Sequence, residues 1–135
     1  MTSTTIRSQR SRSGTAKTTT TPTPIFKQGD IVKVPFPYTD QAAEKYRPAL
    51  VVSLGNIGKN GELIWVVMIT SDSPGKVPQP GDLKITAFSA AGLPSPSIVR
   101  PLKIATCDAV RATKVGSISG QLLSAALQAV LGNLK

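Results

Sequence analysis

The hydrophobic positions of this chain fall into short runs that are separated by turn-forming residues. Runs of four to eight apolar, β-branched-rich residues between turn signals are typical of buried strands. Arg47 lies at the start of one such run, and Thr70 and Ser71 follow the end of another. The predicted strands occupy residues 31–36, 46–53, 63–69, 82–86, 97–104 and 113–117. We expect Pro35 at a strand end or an edge and Pro101 at a bulge or an edge, because proline cannot donate to a ladder.

The last part of the chain has a helical period. Apolar residues recur there at spacings of three and four, at Leu122, Leu123, Ala126, Leu127, Val130, Leu131 and Leu134. This spacing predicts an amphipathic helix that packs on the sheet, and Ser119 is a suitable N-cap. Strands followed by one helix favour a mainly β (α+β) fold, a small curled antiparallel sheet or barrel with a C-terminal amphipathic helix.

The segments between these elements differ in character. Residues 1–24 are rich in Ser, Thr and basic residues, and this composition predicts a disordered tail before a single domain over 25–135. The polar loop 37–46 is long for a hairpin, and such loops often bind ligands. A turn is predicted at 59–61 and a loop at 72–81, while 89–93 is predicted to form one helical turn that ends at Gly92.

The charge balance favours a polyanionic partner. The 135 residues carry 16 basic and 7 acidic side chains, a net charge of +9. Outside residues 1–23, 12 basic and 7 acidic residues remain, so the folded part keeps a net charge of +5. Such an excess is typical of nucleic-acid-binding proteins, and solubility is the alternative explanation.

Several classes of site are disfavoured by composition. The chain has no histidine and one cysteine, Cys107, so the usual imidazole base, a zinc site and an internal disulfide are not expected. We therefore expect no metal or other cofactor. A lone cysteine fits a reducing compartment, and we expect the cytoplasm, because no apolar run is long enough for a membrane span or a secretory signal.

Arg47 and Thr70 are the leading candidates for chemistry. If the two apolar strands pair, both residues come to one end of the sheet, where a guanidinium and a hydroxyl suit a phosphate-like group. Two structural alternatives stay open. Arg47 could extend from a strand end and pair with Glu44, and Thr70 with Ser71 could form a turn pair.

A series of short motifs resembles one known family. In chain order they are Gly29-Asp30-Ile31-Val32, Arg47-Pro48-Ala49-Leu50-Val51-Val52, Met68-Ile69-Thr70-Ser71, Ala91-Gly92-Leu93, Ser97-Ile98-Val99 and Ile104-Ala105-Thr106-Cys107-Asp108. Their order and spacing resemble the MazF/PemK (Kid-like) toxins of type II toxin–antitoxin systems over residues 26–134. The resemblance implies an SH3-like barrel of the MazF/Kid/CcdB type, a homodimer and a metal-independent, sequence-selective endoribonuclease. The implied partners are single-stranded RNA, an acidic antitoxin and, through the antitoxin complex, operator DNA.

The resemblance also assigns catalytic roles. Arg47 matches the family's arginine before proline, which contacts the scissile phosphate, and Thr70 matches the catalytic threonine or serine that closes the central strand. Arg100 lies where the Kid-like branch places an arginine credited with general-acid work; the alternative is a charge that protects a sheet edge. Leu102 replaces that branch's catalytic aspartate and its histidine is absent, so the chemistry is closer to the MazF-like Arg/Thr pair.

The RNA-binding candidates surround this pair. Tyr38 and Tyr46 flank the 37–46 loop and could stack on bases, whereas Trp65 lies within an apolar run and is expected in the core. Ser71, beside Thr70, and two members of a diffuse basic set complete the RNA-binding candidates, Lys45 and Lys76. The general base is unassigned between Asp72 and Glu44, since an ordinary carboxylate is a poor match to proton abstraction at neutral pH.

Two other functions remain open at this point. The first is a toxin of the same fold without nuclease activity, either a gyrase-binding CcdB-like toxin or an inactive relative. The second is an SH3-like nucleic-acid-binding module, whose affinity would fall steeply with salt.

Overall fold

The computed structural model describes residues 22–36 and 45–134, and the elements within them follow the predicted order. Residues 1–21, which include most of the predicted tail, lie outside the described residues, as do Tyr38 and Glu44. The elements are β1 (Asp30–Phe36), β2 (Lys45–Val51), β3 (Leu63–Ser71), β4 (Leu83–Ile85), β5 (Ser97–Asp108), a short 3-10 helix (Ala109–Arg111), β6 (Thr113–Ser117) and α1 (Gly120–Gly132).

The six strands form one antiparallel sheet in the order β4-β5-β3-β2-β1-β6. β5 is longer than predicted because it continues past a bulge, where Val67 pairs with Ile104 but Met68 pairs with Arg100. Pro101 lies inside that bulge, as its missing N–H requires. Pro35 lies near the end of β1, beyond the residues that pair with β6, so its missing N–H breaks no ladder there. Both expectations about these prolines are confirmed.

Both faces of the central strands are covered by apolar side chains, which explains the nearly continuous apolar runs in the sequence. The first core lies on one face and includes Val34, Ala49 and Val66, with Met68 packed against it. The second core lies on the other face and contains Leu50, Val67, Ile69 and the inner side of α1 among its members. We refer to these below as the first-core face and the helix face. The predicted mainly β fold with a C-terminal helix is confirmed.

Helix α1 begins where predicted. The Ser119 hydroxyl accepts a hydrogen bond from the Leu122 N–H at 3.3 Å, which satisfies one of the unpaired donors of the first turn. Ala126 is fully buried in the second core, whereas Leu131 and Leu134 are exposed. The apolar stripe therefore extends beyond the surface that the sheet covers.

The expectation that Trp65 lies in the core is wrong, because 49% of this residue is exposed. Strand alternation places it on the helix face, one position along from Ile64 and Val66 of the first core. On that part of the helix face, Trp65 lines an open groove together with residues of α1. An apolar run in a strand therefore did not distinguish a covered position from an open one.

The free side of β6 is approached by the turn at residues 88–92. Gly92 has a φ of +82°, and an added Cβ there would overlap the Val115 carbonyl group. Gly116 would likewise meet the Ala91 carbonyl. Two glycines thus allow backbone to lie directly against backbone, which a side chain would prevent. The predicted helical turn is a set of hydrogen-bonded turns in which the Leu93 N–H donates to the Phe88 carbonyl at 2.9 Å.

Candidate active site

Arg47 and Thr70 lie at the same end of two neighbouring strands. The β2–β3 ladder runs from Val51 opposite Val66 to Ala49 opposite Met68. Arg47 and Thr70 each lie two residues beyond the last pair of this ladder. Residues two apart in a strand point to the same face, so both side chains belong to the first-core face with Ala49 and Met68. Both residues are partly exposed, and the structure therefore brings the two leading candidates together at an accessible end of the sheet.

The Thr70 hydroxyl has a basic partner. The Lys76 Nζ donates a hydrogen bond to Thr70 Oγ1 at 2.8 Å, and this contact is exposed to solvent. A hydroxyl that accepts from an ammonium group keeps its own O–H for another acceptor. The two side chains can therefore offer donors to one phosphate group. Sequence reasoning placed Lys76 in the diffuse basic set and missed this contact, because a proline- and glycine-rich segment hides which of its residues folds back.

Arg100 faces the same side of the sheet but is buried. It lies opposite Met68, and 10% of its side chain is exposed. Its Nη2 donates to the Val77 carbonyl oxygen at 3.1 Å and is 3.7 Å from Asp82 Oδ2. Burial does not fit the alternative of a solvated charge that protects an edge. A catalytic role for Arg100 stays a prediction.

A cleft of about 390 Å³ opens beside Arg47 toward the helix face. Its lining combines cations, a tyrosine and apolar residues: Lys33, Lys45, Tyr46, Arg47, Pro48, Gly92, Leu93, Pro94 and Val115. Tyr46 is 56% exposed, so its ring is accessible for stacking. The cleft joins two of the predicted RNA-binding residues to Arg47. Lys33, the one charge in an apolar strand, also belongs to the diffuse basic set predicted from sequence.

The other predicted site residues are more peripheral. Ser71 is exposed at the end of β3, opposite Ser97. Asp72 Oδ2 is 3.7 Å from the Lys84 Nζ, so this candidate base lies beside a cation. Leu102, at the position of the Kid-like aspartate, is 44% exposed in the β5 bulge. Ser71 and Asp72 therefore lie at the end of β3 that carries Thr70.

Cys107 is not part of the site, because it lies in the first core. Burial raises the pKa of its thiol, Asp108 adds to that rise, and Arg111 opposes it. A raised pKa disfavours the thiolate that nucleophilic chemistry needs. Within residues 22–36 and 45–134, no group of three or more His, Cys, Asp or Glu residues is arranged to hold a metal ion. No helix in this part of the chain is long and apolar enough to cross a membrane.

The family is decided by a comparison of the sequence with family models. A model described as PemK-like, MazF-like toxin of type II toxin–antitoxin system matches residues 27–134. The chain belongs to the PemK/MazF toxin family. The motifs that carried the resemblance, including those of Arg47 and Thr70, all lie within this match. A comparison with curated proteins found no match.

Solved PemK/MazF structures share the fold. A MazE–MazF crystal structure from Deinococcus radiodurans aligns with a TM-score of 0.61 and 20% identity over 82% of this chain and 96% of that chain. A MazF crystal structure from the same organism aligns with a TM-score of 0.61 and 22% identity over 82% of this chain and 97% of that chain. The Mycobacterium tuberculosis toxin MazF-mt6 aligns with a TM-score of 0.54 and 19% identity over 77% of this chain and 93% of that chain. At these identities, the comparisons show the fold.

Proposed function

We propose that this chain is the toxin of a type II toxin–antitoxin system and cleaves single-stranded RNA without a metal ion. The observation that carries the proposal is that Arg47 and Thr70 lie on one face of the sheet, each two residues beyond the last β2–β3 pair, with Lys76 on the threonine hydroxyl. Family membership supports the same reaction class. A guanidinium, an ammonium group and a hydroxyl at one end of the sheet suit a phosphodiester.

The proposed reaction starts from the RNA itself. The ribose 2′-oxygen attacks the adjacent phosphorus and loses its proton to a base, for which Asp72 and Glu44 are the candidates. The bond from phosphorus to the 5′-oxygen breaks, which leaves a 2′,3′-cyclic phosphate and a 5′-hydroxyl that takes up a proton. Negative charge gathers on the phosphoryl oxygens in the transition state. The fixed guanidinium of Arg47 stabilises that charge, and the Thr70 hydroxyl orients one oxygen.

The basic cleft is proposed to hold the RNA next to the scissile phosphate. Lys45 supplies positive charge and Tyr46 supplies a stacking surface for bases. Ser71 and Lys76 are proposed to contact the RNA on the other side of the scissile phosphate. Tyr38 completes this set from outside the described residues. Because phosphate contacts release counterions, binding should weaken steeply as salt rises.

Arg47→Ala tests the assignment most directly. We expect cleavage of a single-stranded RNA in chelator to fall about 10²–10³-fold, since one preorganised donor to the transition state is lost. Arg47→Lys should recover part of the loss, because it keeps the charge without the planar fork. Lys59→Ala removes an exposed cation from a distant loop and serves as the matched control.

The outcome separates the proposal from its rivals. Cleavage that ends in cyclic phosphate and depends on Arg47 supports the nuclease. A wild-type protein that arrests growth or binds its partner without cleaving RNA would favour the same-fold toxin without nuclease activity, for which Leu102 is the relevant departure. Salt-sensitive RNA binding without growth arrest would favour the nucleic-acid-binding module.

We also propose that the protein is a homodimer formed through an uncharged apolar face. This apolar face surrounds a groove of about 660 Å³ between α1 and strands β3 and β5, and its largest exposed side chains are Leu54, Trp65, Ile104, Leu131 and Leu134. None of the groove-lining residues is ionisable, so an acidic partner would find no counter-charge there. A second copy presents the same uncharged face and is self-complementary by twofold symmetry.

The acidic antitoxin is proposed to bind elsewhere, on the basic surface. The folded part carries a net charge of +5, and the cleft beside Arg47 gathers three of its cations. Charge complementarity favours an acidic segment there. The two crystal forms of Deinococcus radiodurans MazE–MazF pair a toxin of this fold with MazE. Operator DNA is proposed as a partner of the toxin–antitoxin complex.

A further inference from the structure

The segment 72–82 joins β3 to β4 and lies over the end of the sheet that carries Thr70. The Asp72 N–H donates to the Pro96 carbonyl at 2.9 Å, which fixes the segment's first residue. At its other end, the Gln79 N–H donates to Asp82 Oδ2 at 3.0 Å. Between these ends, Lys76 reaches back to Thr70. The position of the Lys76 ammonium group therefore depends on the contacts that hold the middle of the segment.

Arg100 lies beneath this segment and forms a buried ion pair with Asp82, the segment's last residue. Their side chains are 10% and 13% exposed, and Arg100 Nη2 is 3.7 Å from Asp82 Oδ2. Within the described part of the chain, Arg100 Nε and Asp82 Oδ1 are buried without a hydrogen-bond partner. A buried pair with incomplete hydrogen bonding is a poor source of stability, because desolvation offsets the attraction. The role of this ion pair is therefore to orient a neighbouring group rather than to add stability.

The second contact of Arg100 identifies the group that the pair orients. Arg100 Nη2 donates to the carbonyl oxygen of Val77 at 3.1 Å, and Val77 directly follows Lys76. A hydrogen bond from a charged donor to the adjacent peptide limits the backbone freedom of Lys76. The side chain of Val77 is itself exposed, so it supplies no apolar anchor in place of this bond.

We propose that Arg100 is a positioning residue that holds Lys76 against Thr70 by binding the Val77 carbonyl, with Asp82 orienting the guanidinium. This inference rests on the proposed function where it concerns cleavage, because it takes Thr70 to lie at the scissile phosphate. It differs from the general-acid role that the family resemblance implies for Arg100. A guanidinium holds its proton too tightly to be a ready proton donor, and this one is buried against the segment.

The first test does not depend on ribonuclease activity. Lys76 and Lys59 are both exposed in loops, so an endoproteinase that cuts after lysine can attack both, and mass spectrometry separates the products. In Arg100→Gln we expect cleavage after Lys76 to speed up about tenfold or more, since a hydrogen bond from a charged donor is lost. Cleavage after Lys59 should keep its rate and serves as the internal control. Equal rates after Lys76 in wild type and variant would overturn the inference.

A second variant guards against a loss of folding in Arg100→Gln. Asp82→Asn keeps the shape of the partner but removes its charge, and we expect faster cleavage after Lys76 with an unchanged rate after Lys59. Arg100→Lys keeps a donor near the Val77 carbonyl and should restore part of the protection. Protection that is equal in wild type, Asp82→Asn and Arg100→Lys would contradict the proposed role of the pair.

The third test asks whether Arg100 acts through Lys76 in cleavage. We expect Arg100→Gln to lower kcat/KM for RNA about tenfold in the wild-type background, but by no more than about twofold when Lys76→Ala is already present. The same factor in both backgrounds would mean that Arg100 touches the substrate, and would overturn the positioning role. If the wild-type protein cleaves no RNA, the proposed function fails, and the proteolysis experiment still decides the inference.

Discussion

Trp65→Ser removes the largest exposed side chain of the apolar face and tests whether that face joins two copies. A tryptophan buries up to about 250 Å² when fully covered, and 49% of Trp65 is exposed in the monomer. About 120 Å² per protomer is thus left to bury in a dimer, which is worth about 3 kcal/mol at about 25 cal/mol per Å². Twofold symmetry counts this contribution twice. Because interfaces convert area to affinity incompletely, we expect the dimer dissociation constant to rise about a thousandfold.

Sedimentation velocity across a concentration series measures this shift. Val110→Ser is the matched control, because Val110 is 57% exposed on the short 3-10 helix and is not among the residues that line the groove. We expect Val110→Ser to associate like the wild type. The reasoning is refuted if the wild-type protein is monomeric at micromolar concentration, or if Trp65→Ser associates as tightly as the control.

Three further predictions concern the fold. Gly92→Ala should lower the free energy of unfolding by more than about 1 kcal/mol in a denaturant titration, because the new Cβ meets the Val115 carbonyl at a positive φ. Gly120→Ala is the control, because its Cβ meets no other atom, and it should leave the free energy of unfolding nearly unchanged. Ser119→Ala should cost about 1 kcal/mol through the lost helix cap, and an unchanged denaturation midpoint would contradict that. The Cys107 thiol should react with iodoacetamide at pH 8 far more slowly in native than in denatured protein, since burial raises its pKa; equal rates would contradict its burial.

The fold could be predicted to a large extent because its signals are local. The strand at 63–69 is an uninterrupted β-branched run, and Ser119 before a three–four spacing marks the start of α1. Both Pro35 and Pro101 lie where a missing N–H does little harm. The exposure of Trp65 could not be predicted, because an apolar side chain gives no sign of whether a partner layer reaches it. Trp65 lines an open groove together with residues of α1, so its ring stays half exposed although the helix is near.

The site was predictable only in its strand-borne part. Arg47 and Thr70 lie at strand ends, and pairing of the two strands follows from their apolar pattern, so their proximity could be inferred from sequence. Lys76 lies in a loop with three prolines, and Arg100 contacts that loop from β5. No periodicity in the sequence encodes the path of this loop. Side-chain contacts that cross such a loop depend on tertiary packing and are visible only in the structure.

Trp65 of the proposed dimer face and Thr70 of the candidate active site lie on the same strand but on opposite faces. Trp65 and Thr70 are five residues apart in β3, which is about 16 Å at the usual strand rise, and an odd separation puts their side chains on opposite faces. Arg47, Thr70 and Lys76 all come from one chain, so loss of the partner copy leaves this group in place. Trp65→Ser should therefore keep its rate of RNA cleavage at saturating RNA. If cleavage is instead lost at every RNA concentration, the partner copy contributes a group to the reaction, and the site described within one protomer is incomplete.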